Sequence, residues 1–242
     1  MIKRQEEAIQ MKKLLSVLLV MLLLVGCGSG KDSDKDGDTP NPTEGATYKI
    51  GTAVLSTEKG TDAGEEDGAF EVNTYFAHVV LDGDKLVDVY IDVAQNKINF
   101  NAEDALTGFS AAGGKGTKKE LGDDYNMKTY GNAVAEWYEQ MESLENWMIG
   151  KTVQEVLDMP TYAKDDAHPE VPEVEDLKSS VTITVEKYKE VVKMAADNAV
   201  EVEDVVKVGT RSNTTAKQEE VEMNTYISTV ALNANNEVVF VA

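Results

Sequence analysis

Residues 70–93 read Phe-Glu-Val-Asn-Thr-Tyr-Phe-Ala-His-Val-Val-Leu-Asp-Gly-Asp-Lys-Leu-Val-Asp-Val-Tyr-Ile-Asp-Val. Two runs rich in β-branched and aromatic residues, 70–81 and 85–93, flank Asp82-Gly83-Asp84, which is a hairpin turn signal. In the first run Val72, Thr74, Phe76, His78 and Val80 alternate with Asn73, Tyr75, Ala77 and Val79. Both sets are largely apolar or aromatic, so both faces are covered and the run reads as a central strand. His78 within it reads as a satisfied core or surface histidine rather than a catalytic base. Residues 48–57, opening Tyr48-Lys49-Ile50-Gly51-Thr52, supply a preceding strand.

The same phrases return near the C-terminus. Lys207-Val208-Gly209-Thr210 echoes Lys49-Ile50-Gly51-Thr52, and Glu222-Met223-Asn224-Thr225-Tyr226 echoes Glu71-Val72-Asn73-Thr74-Tyr75. Asn233 to Asn236 stands in for the turn, and 237–241 is the return strand. Residues 203–242 thus read as a partial repeat of the opening strands. Three strands alone would expose apolar faces, so docking is expected against the first sheet or against a second copy of the chain.

Between the two strand groups the period changes. Residues 133–159 read as helical, with Trp137, Met141, Leu144 and Met148 on one face. Gly150 stops that helix, and Thr152-Val153-Gln154-Glu155 is a capping box that opens a shorter one before Pro160. Residues 160–176 read as an acidic loop. Residues 184–199 read as a last helix with Tyr188, Val191, Val192 and Ala195 on one face and Thr184 as N-cap. The expected class is α+β, an antiparallel sheet with packed helices.

The N-terminus reads as an address. Residues 14–25 are apolar apart from Ser16, follow Lys12-Lys13, and end at Val25-Gly26-Cys27. The run is short for a membrane span and suits a signal-peptide core. It resembles the bacterial lipoprotein signal, which implies that residues 1–27 hold the signal peptide and lipobox, with Cys27 lipidated. Residues 28–47 then form a flexible acidic tether. Asp32-Ser33-Asp34-Lys35-Asp36-Gly37 looks like the start of a calcium loop, but Thr43 stands where a carboxylate is needed. The expected location is the extracytoplasmic face of the cell membrane, held by the lipid.

Composition narrows the function. The 242 residues carry 23 basic and 44 acidic side chains, a formal charge of −21. Removing residues 1–26 takes away four basic and two acidic residues, which moves the charge to −23. Such a surface speaks against nucleic acid, whose binding depends on a basic face. The lone cysteine excludes an intramolecular disulfide and a thiolate zinc site. No Ser/His/Asp arrangement, paired-carboxylate motif or metal signature supports a hydrolase.

Residues 48–200 resemble the bacterial FMN-binding domain. The resemblance rests on the strands and on Asp176-Leu177-Lys178-Ser179-Ser180-Val181-Thr182 before a Tyr/Val/Ala-rich helix, and residues 88–97, 117–128 and 136–140 look like a branch of such lipoproteins in Gram-positive bacteria. That family includes flavin subunits of respiratory ion pumps and extracytoplasmic electron-transfer lipoproteins. Its flavinylation motif is Asp-x-x-Ser/Thr-Gly-Ala-Ser/Thr, and the last hydroxyl carries FMN through a phosphoester. The resemblance therefore implies FMN as cofactor, with Asp176, Ser179, Ser180 and Thr182 at the site and Thr182 as acceptor. Ser180 and Val181 stand where the family keeps Gly and Ala, which leaves covalent and non-covalent binding both open. Asp104-Ala105-Leu106-Thr107-Gly108-Phe109-Ser110 is a second, looser match.

Ser179, Ser180, Thr182 and Thr184 place hydroxyls just before a helix N-terminus, which suits a phosphate. Lys115, Lys118 and Lys119 are the candidate basic patch. Trp137, Trp147, Tyr125, Tyr130 and Tyr138 are candidates to stack on the flavin ring, although Trp137, Met127 and Met141 also suit a core. Two functions follow from the resemblance. One is an electron-transfer module working with a redox partner protein or a quinone-linked membrane enzyme. The other is a non-catalytic binding or surface lipoprotein without the flavin.

Overall fold

The computed structural model describes residues 46–242 except 104, 110–115, 132 and 218–221. Cys27, the tether with its calcium-like stretch, Asp104, Ser110 and Lys115 lie outside the described residues. The opening strands are β1 (Tyr48–Thr61), β2 (Gly68–Asp82), β3 (Lys85–Phe100) and β4 (Leu106–Phe109). Next come α1 (Lys118–Leu121), a 3-10 turn (Gly122–Tyr125), α2 (Met127–Gly131), α3 (Trp137–Met148) and α4 (Val153–Leu157). The two-residue strands β5 (Thr161–Tyr162) and β6 (Val171–Pro172) precede α5 (Glu186–Asp197). The last elements are β7 (Val200–Val202), β8 (Lys207–Lys217), β9 (Glu222–Leu232) and β10 (Val238–Val241).

Among the described residues, β4-β3-β2-β1-β7 form one antiparallel sheet and β10-β9-β8 a second. The architecture is α+β. Strand β2 is the middle strand of the five, and β1 and β3 pair with it along almost its whole length. Gly83 turns the hairpin at φ +61°, a left-handed value that favours glycine.

Each face of the first sheet has its own cover. On one face Ala53, Ala77, Val79, Ile91 and Val93 pack against Trp137, Met141, Leu144 and Met148 of α3 and Val191, Val192 and Ala195 of α5. The apolar i, i+4, i+7 spacing of both helices produces these stripes. On the other face Ile50 and Val80 meet Val208, Ala231, Val239 and Phe240 of the C-terminal sheet. That sheet therefore docks on the first one and not as an isolated meander. The order is three layers: helices, a long sheet, a short sheet.

The two hairpins share a pattern of registers. Ile50 faces Val80 and Thr52 faces His78, while Val208 faces Ala231 and Thr210 faces Thr229. Every pair in these two hairpins keeps the offset that the echoed phrases set.

Several boundaries differ from the sequence expectation. Strand β1 runs to Thr61 and β3 to Phe100, because pairing along β2 overrides the weak propensity of their outer halves. Helix α3 starts at Trp137, not at 133, since Glu136 is extended at φ −65°, ψ 160°. The acidic loop 160–176 contains the β5–β6 pair. Thr184 is not an N-cap. Val185 holds that position at φ −109°, ψ −1° without a side-chain cap, and its N–H donates to the Glu170 carbonyl at 2.9 Å.

Candidate functional site

The segment Gly116–Leu121 is pinned to β3 by one carboxylate. Asp92 is fully buried. Its Oδ1 accepts the N–H groups of Val93 at 2.7 Å and Lys119 at 3.1 Å, and its Oδ2 accepts the Tyr90 hydroxyl at 3.2 Å. Burial raises the Asp92 pKa, while the Thr117 side chain and the Lys119 and Val93 N–H groups pull it back. Thr117 and Glu120 form a capping box that starts α1. Two adjacent lysines on this turn then diverge.

Lys119 is satisfied. Its Nζ lies 2.6 Å from the Glu145 carboxylate and 3.8 Å from the Tyr90 ring centroid. Glu145 also accepts the Ile91 N–H at 2.5 Å. Burial dominates its titration and pushes it up to about 7 despite Lys119.

Lys118 points to another place. Its Nζ lies 5.0 Å from the Tyr125 ring centroid and 5.4 Å from that of Trp137. No hydrogen bond or ion pair satisfies this ammonium among the described residues, and desolvation lowers its pKa to about 8, opposed by the charges of Glu71 and Asp92. It lines a pocket of about 170 Å³ whose wall also holds Tyr75, Trp137, Tyr188, Thr184 and Lys187. The Trp137 indole N–H donates to the Tyr188 hydroxyl at 3.1 Å, which ties α3 to α5 behind this wall. Tyr188 and Tyr75 stand 5.7 Å apart at the centroids. The Thr184 hydroxyl is buried with no hydrogen-bond partner among the described residues. An unpartnered buried hydroxyl is costly unless something occupies the site. Lys187 is already bridged to Glu186 and Glu190. An unpaired cation, aromatic walls and a free hydroxyl suit a small anionic group attached to a planar ring.

The sequence candidates are only partly brought together. Lys118, Trp137 and Met127 meet at the pocket, and Tyr125 stands against Lys118. Asp176 and Ser179 lie exposed on a turn, and Ser180 Oγ donates to the Leu177 carbonyl at 3.4 Å. Thr182 turns to α3: its N–H donates to Gln140 Oε1 at 2.9 Å and its hydroxyl to the same atom at 3.4 Å. Helix α5 begins four residues beyond Thr182, so the hydroxyl group cluster is not stacked on its first turn. Trp147 carries Lys151 over its ring at 4.2 Å, Tyr130 is exposed, and the Tyr138 hydroxyl donates to Asp123 at 3.2 Å. Met141 is fully buried in the core. His78 is buried, with its ring nitrogens 2.7 Å from the Thr210 hydroxyl and 3.1 Å from Asp88.

Sequence reasoning missed Lys187, Tyr75 and Asp92 as site components; of the four hydroxyls it grouped for a phosphate, Ser179, Ser180, Thr182 and Thr184, Thr184 is the one that lines the pocket. The Thr117-x-x-Glu120 capping signature was present and marks where Lys118 and Lys119 begin to diverge. No local signal announces Asp92, whose role depends on a loop folding back over β3.

No protein-family model matches the chain, and no solved structure matches it. A stretch of 42 residues, 17% of this chain, is 52% identical to the chlorophenol reductase of Desulfitobacterium hafniense. The stretch spans 13% of that protein's length, well under two thirds of it. The chain is similar to that reductase over this segment.

Proposed function

We propose that the chain is a lipid-anchored, extracytoplasmic lipoprotein whose α+β body has an FMN-binding-like fold, with residues 203–242 as a partial repeat, and serves as an electron-transfer module. The observation that carries the reading is the Lys118 pocket: an unpaired, desolvated ammonium among Tyr75, Tyr125, Trp137 and Tyr188, beside the free Thr184 hydroxyl. Lys118 and Thr184 would hold the anionic end of the cofactor. At about 170 Å³ the pocket is smaller than the roughly 300–1,000 Å³ usual for whole ligands, so it fits a phosphate-sized group rather than an entire flavin. Bound FMN supplies one- and two-electron transfer. The protein's own residues contribute binding, orientation and exclusion of water. The 42-residue likeness to a protein named as a reductase accords with a redox role.

Titration of the purified chain with FMN tests this. Lys118→Met should weaken binding at least about tenfold, the scale of one charge-assisted contact. Its thermal midpoint should not fall, because the variant removes a buried unpaired cation. Intact mass with and without Thr182→Ala separates a phosphoester at Thr182 from reversible binding. Absence of a flavin spectrum after expression with flavin supply, and no binding on titration, would refute the redox reading.

A second reading is a binding lipoprotein without flavin. The engagement of Thr182 by Gln140 and the small pocket favour it. Anchoring is tested separately, because Cys27→Ser should move the protein from the detergent phase to the aqueous phase on detergent partitioning. Unchanged partitioning would remove the lipid anchor from the proposal.

A further inference from the structure

The outer face of the C-terminal sheet is the counterpart of the face that the first sheet gives to its helices. The two sheets meet through matched residues, Ile50 and Val80 against Val208 and Ala231. The faces turned away from that contact therefore correspond as well. On the first sheet that face carries Gly51, Val79 and Leu81, and α5 lies on it. The contact is intimate: a Cβ on Gly51 would sit 1.8 Å from the Ala195 carbonyl oxygen. On the C-terminal sheet the matched residues are Gly209, Val230 and Leu232, and they line a groove of about 460 Å³. A Cβ on Gly209 would meet nothing within 4 Å among the described residues. Val238 and Val241, paired to Leu232 and Val230 on the edge strand, are 60% and 64% exposed.

The charges on this face decide what covers it. Lys207 and Arg211 flank Gly209 on the same side of β8, and both are exposed. Neither has an ion-pair partner among the described residues. Position 211 corresponds to Ala53, a core residue on the first sheet, so a cation stands where the template has a methyl group. We propose that this groove binds an amphipathic helix of a partner protein, with a small residue set over Gly209 and acidic residues on its flank facing Lys207 and Arg211. A two-fold contact between copies would bring the same two cations towards each other. A chain of charge −21 is repelled by an anionic bilayer. Both alternatives are disfavoured on charge. This inference does not depend on flavin binding.

The test uses the full chain and a labelled peptide of residues 184–199, the helix that fills the matched face, with Lys187, Lys189 and Lys193 replaced by Glu. Fluorescence anisotropy should show saturable binding. Gly209→Val should weaken it at least about tenfold by filling the notch, and Arg211→Glu by a similar factor through lost charge pairing. In the peptide, Ala195→Leu should weaken it comparably. Gly209→Val has open space and a β-branched residue suits a strand, so its thermal midpoint should match the parent. Absence of saturable binding, or binding indifferent to Gly209→Val and Arg211→Glu, would overturn the proposal. So would a concentration-dependent dimer abolished by Arg211→Glu, or Arg211-dependent sedimentation with phosphatidylglycerol vesicles, when peptide binding is absent.

Discussion

Gly51→Ala is expected to destabilise the fold by about 3 kcal/mol or more, the upper end of what overpacking costs. The added methyl carbon would lie 1.8 Å from the Ala195 carbonyl oxygen, 2.9 Å from its carbonyl carbon and 3.0 Å from Ala199 Cα. All three are backbone atoms, so no rotamer change relieves the clash. Helix α5 must lift from the sheet, and it carries Tyr188, Val191, Val192 and Ala195 of the main core with it. Chemical denaturation with far-UV and tryptophan signals reads the loss. Gly209→Ala is the matched control and should be close to neutral, since the equivalent space is open. Equal effects at the two glycines would contradict the described packing of α5.

Lys119→Met is expected to cost about 3 kcal/mol near pH 8, because it leaves Glu145 buried without its counter-ion. The cost should shrink near pH 5, where Glu145 is protonated in the folded protein. The sign in the parent follows from the same group. Glu145 titrates near 4.5 when unfolded and at about 7 when folded. Between those values the folded state binds more proton, so stability is greatest at the acid end and falls as pH rises towards 7. The total change from this group is about 3 kcal/mol. Asp92, also raised by burial, adds a change of the same sign. Lys118 acts in a separate window: lowered to about 8, it makes stability rise between there and its ordinary value of 10.5. Urea midpoints at pH 5 and pH 7.5 should therefore differ in the parent and converge in Glu145→Gln. A parent midpoint that does not change across that window would show that Glu145 is not held in the described environment.

The strands and the main helices were legible because their information is local. Phe70 to Val93 carries its own turn and its own alternation, and Trp137, Met141, Leu144 and Met148 mark a helix face at any location in the chain. Registers were foreshadowed by the echoed phrases, since Lys-Ile/Val-Gly-Thr and Asn-Thr-Tyr bring their partners with them. The site was less legible. Thr182 belongs to a motif that can be quoted, yet its hydroxyl goes to Gln140, 42 residues earlier in the chain. Thr184, two residues on and past the bend at Ile183, is directed to the pocket instead. Lys118 and Lys119 are equivalent in sequence, but one meets Glu145 and the other meets two aromatic rings.

By itself the sequence determined the antiparallel class, the central position of the 70–81 strand, the helical faces and the acidity that disfavours nucleic acid. These follow from residue type and spacing within a few turns of chain. Only the tertiary structure decided which faces are covered, which lysine is left unpaired and which of two matched glycines has a helix on it. The reason is physical: burial and charge pairing are properties of neighbours in space, and Gly51 and Gly209 differ by Ala195 rather than by anything in the phrases that surround them.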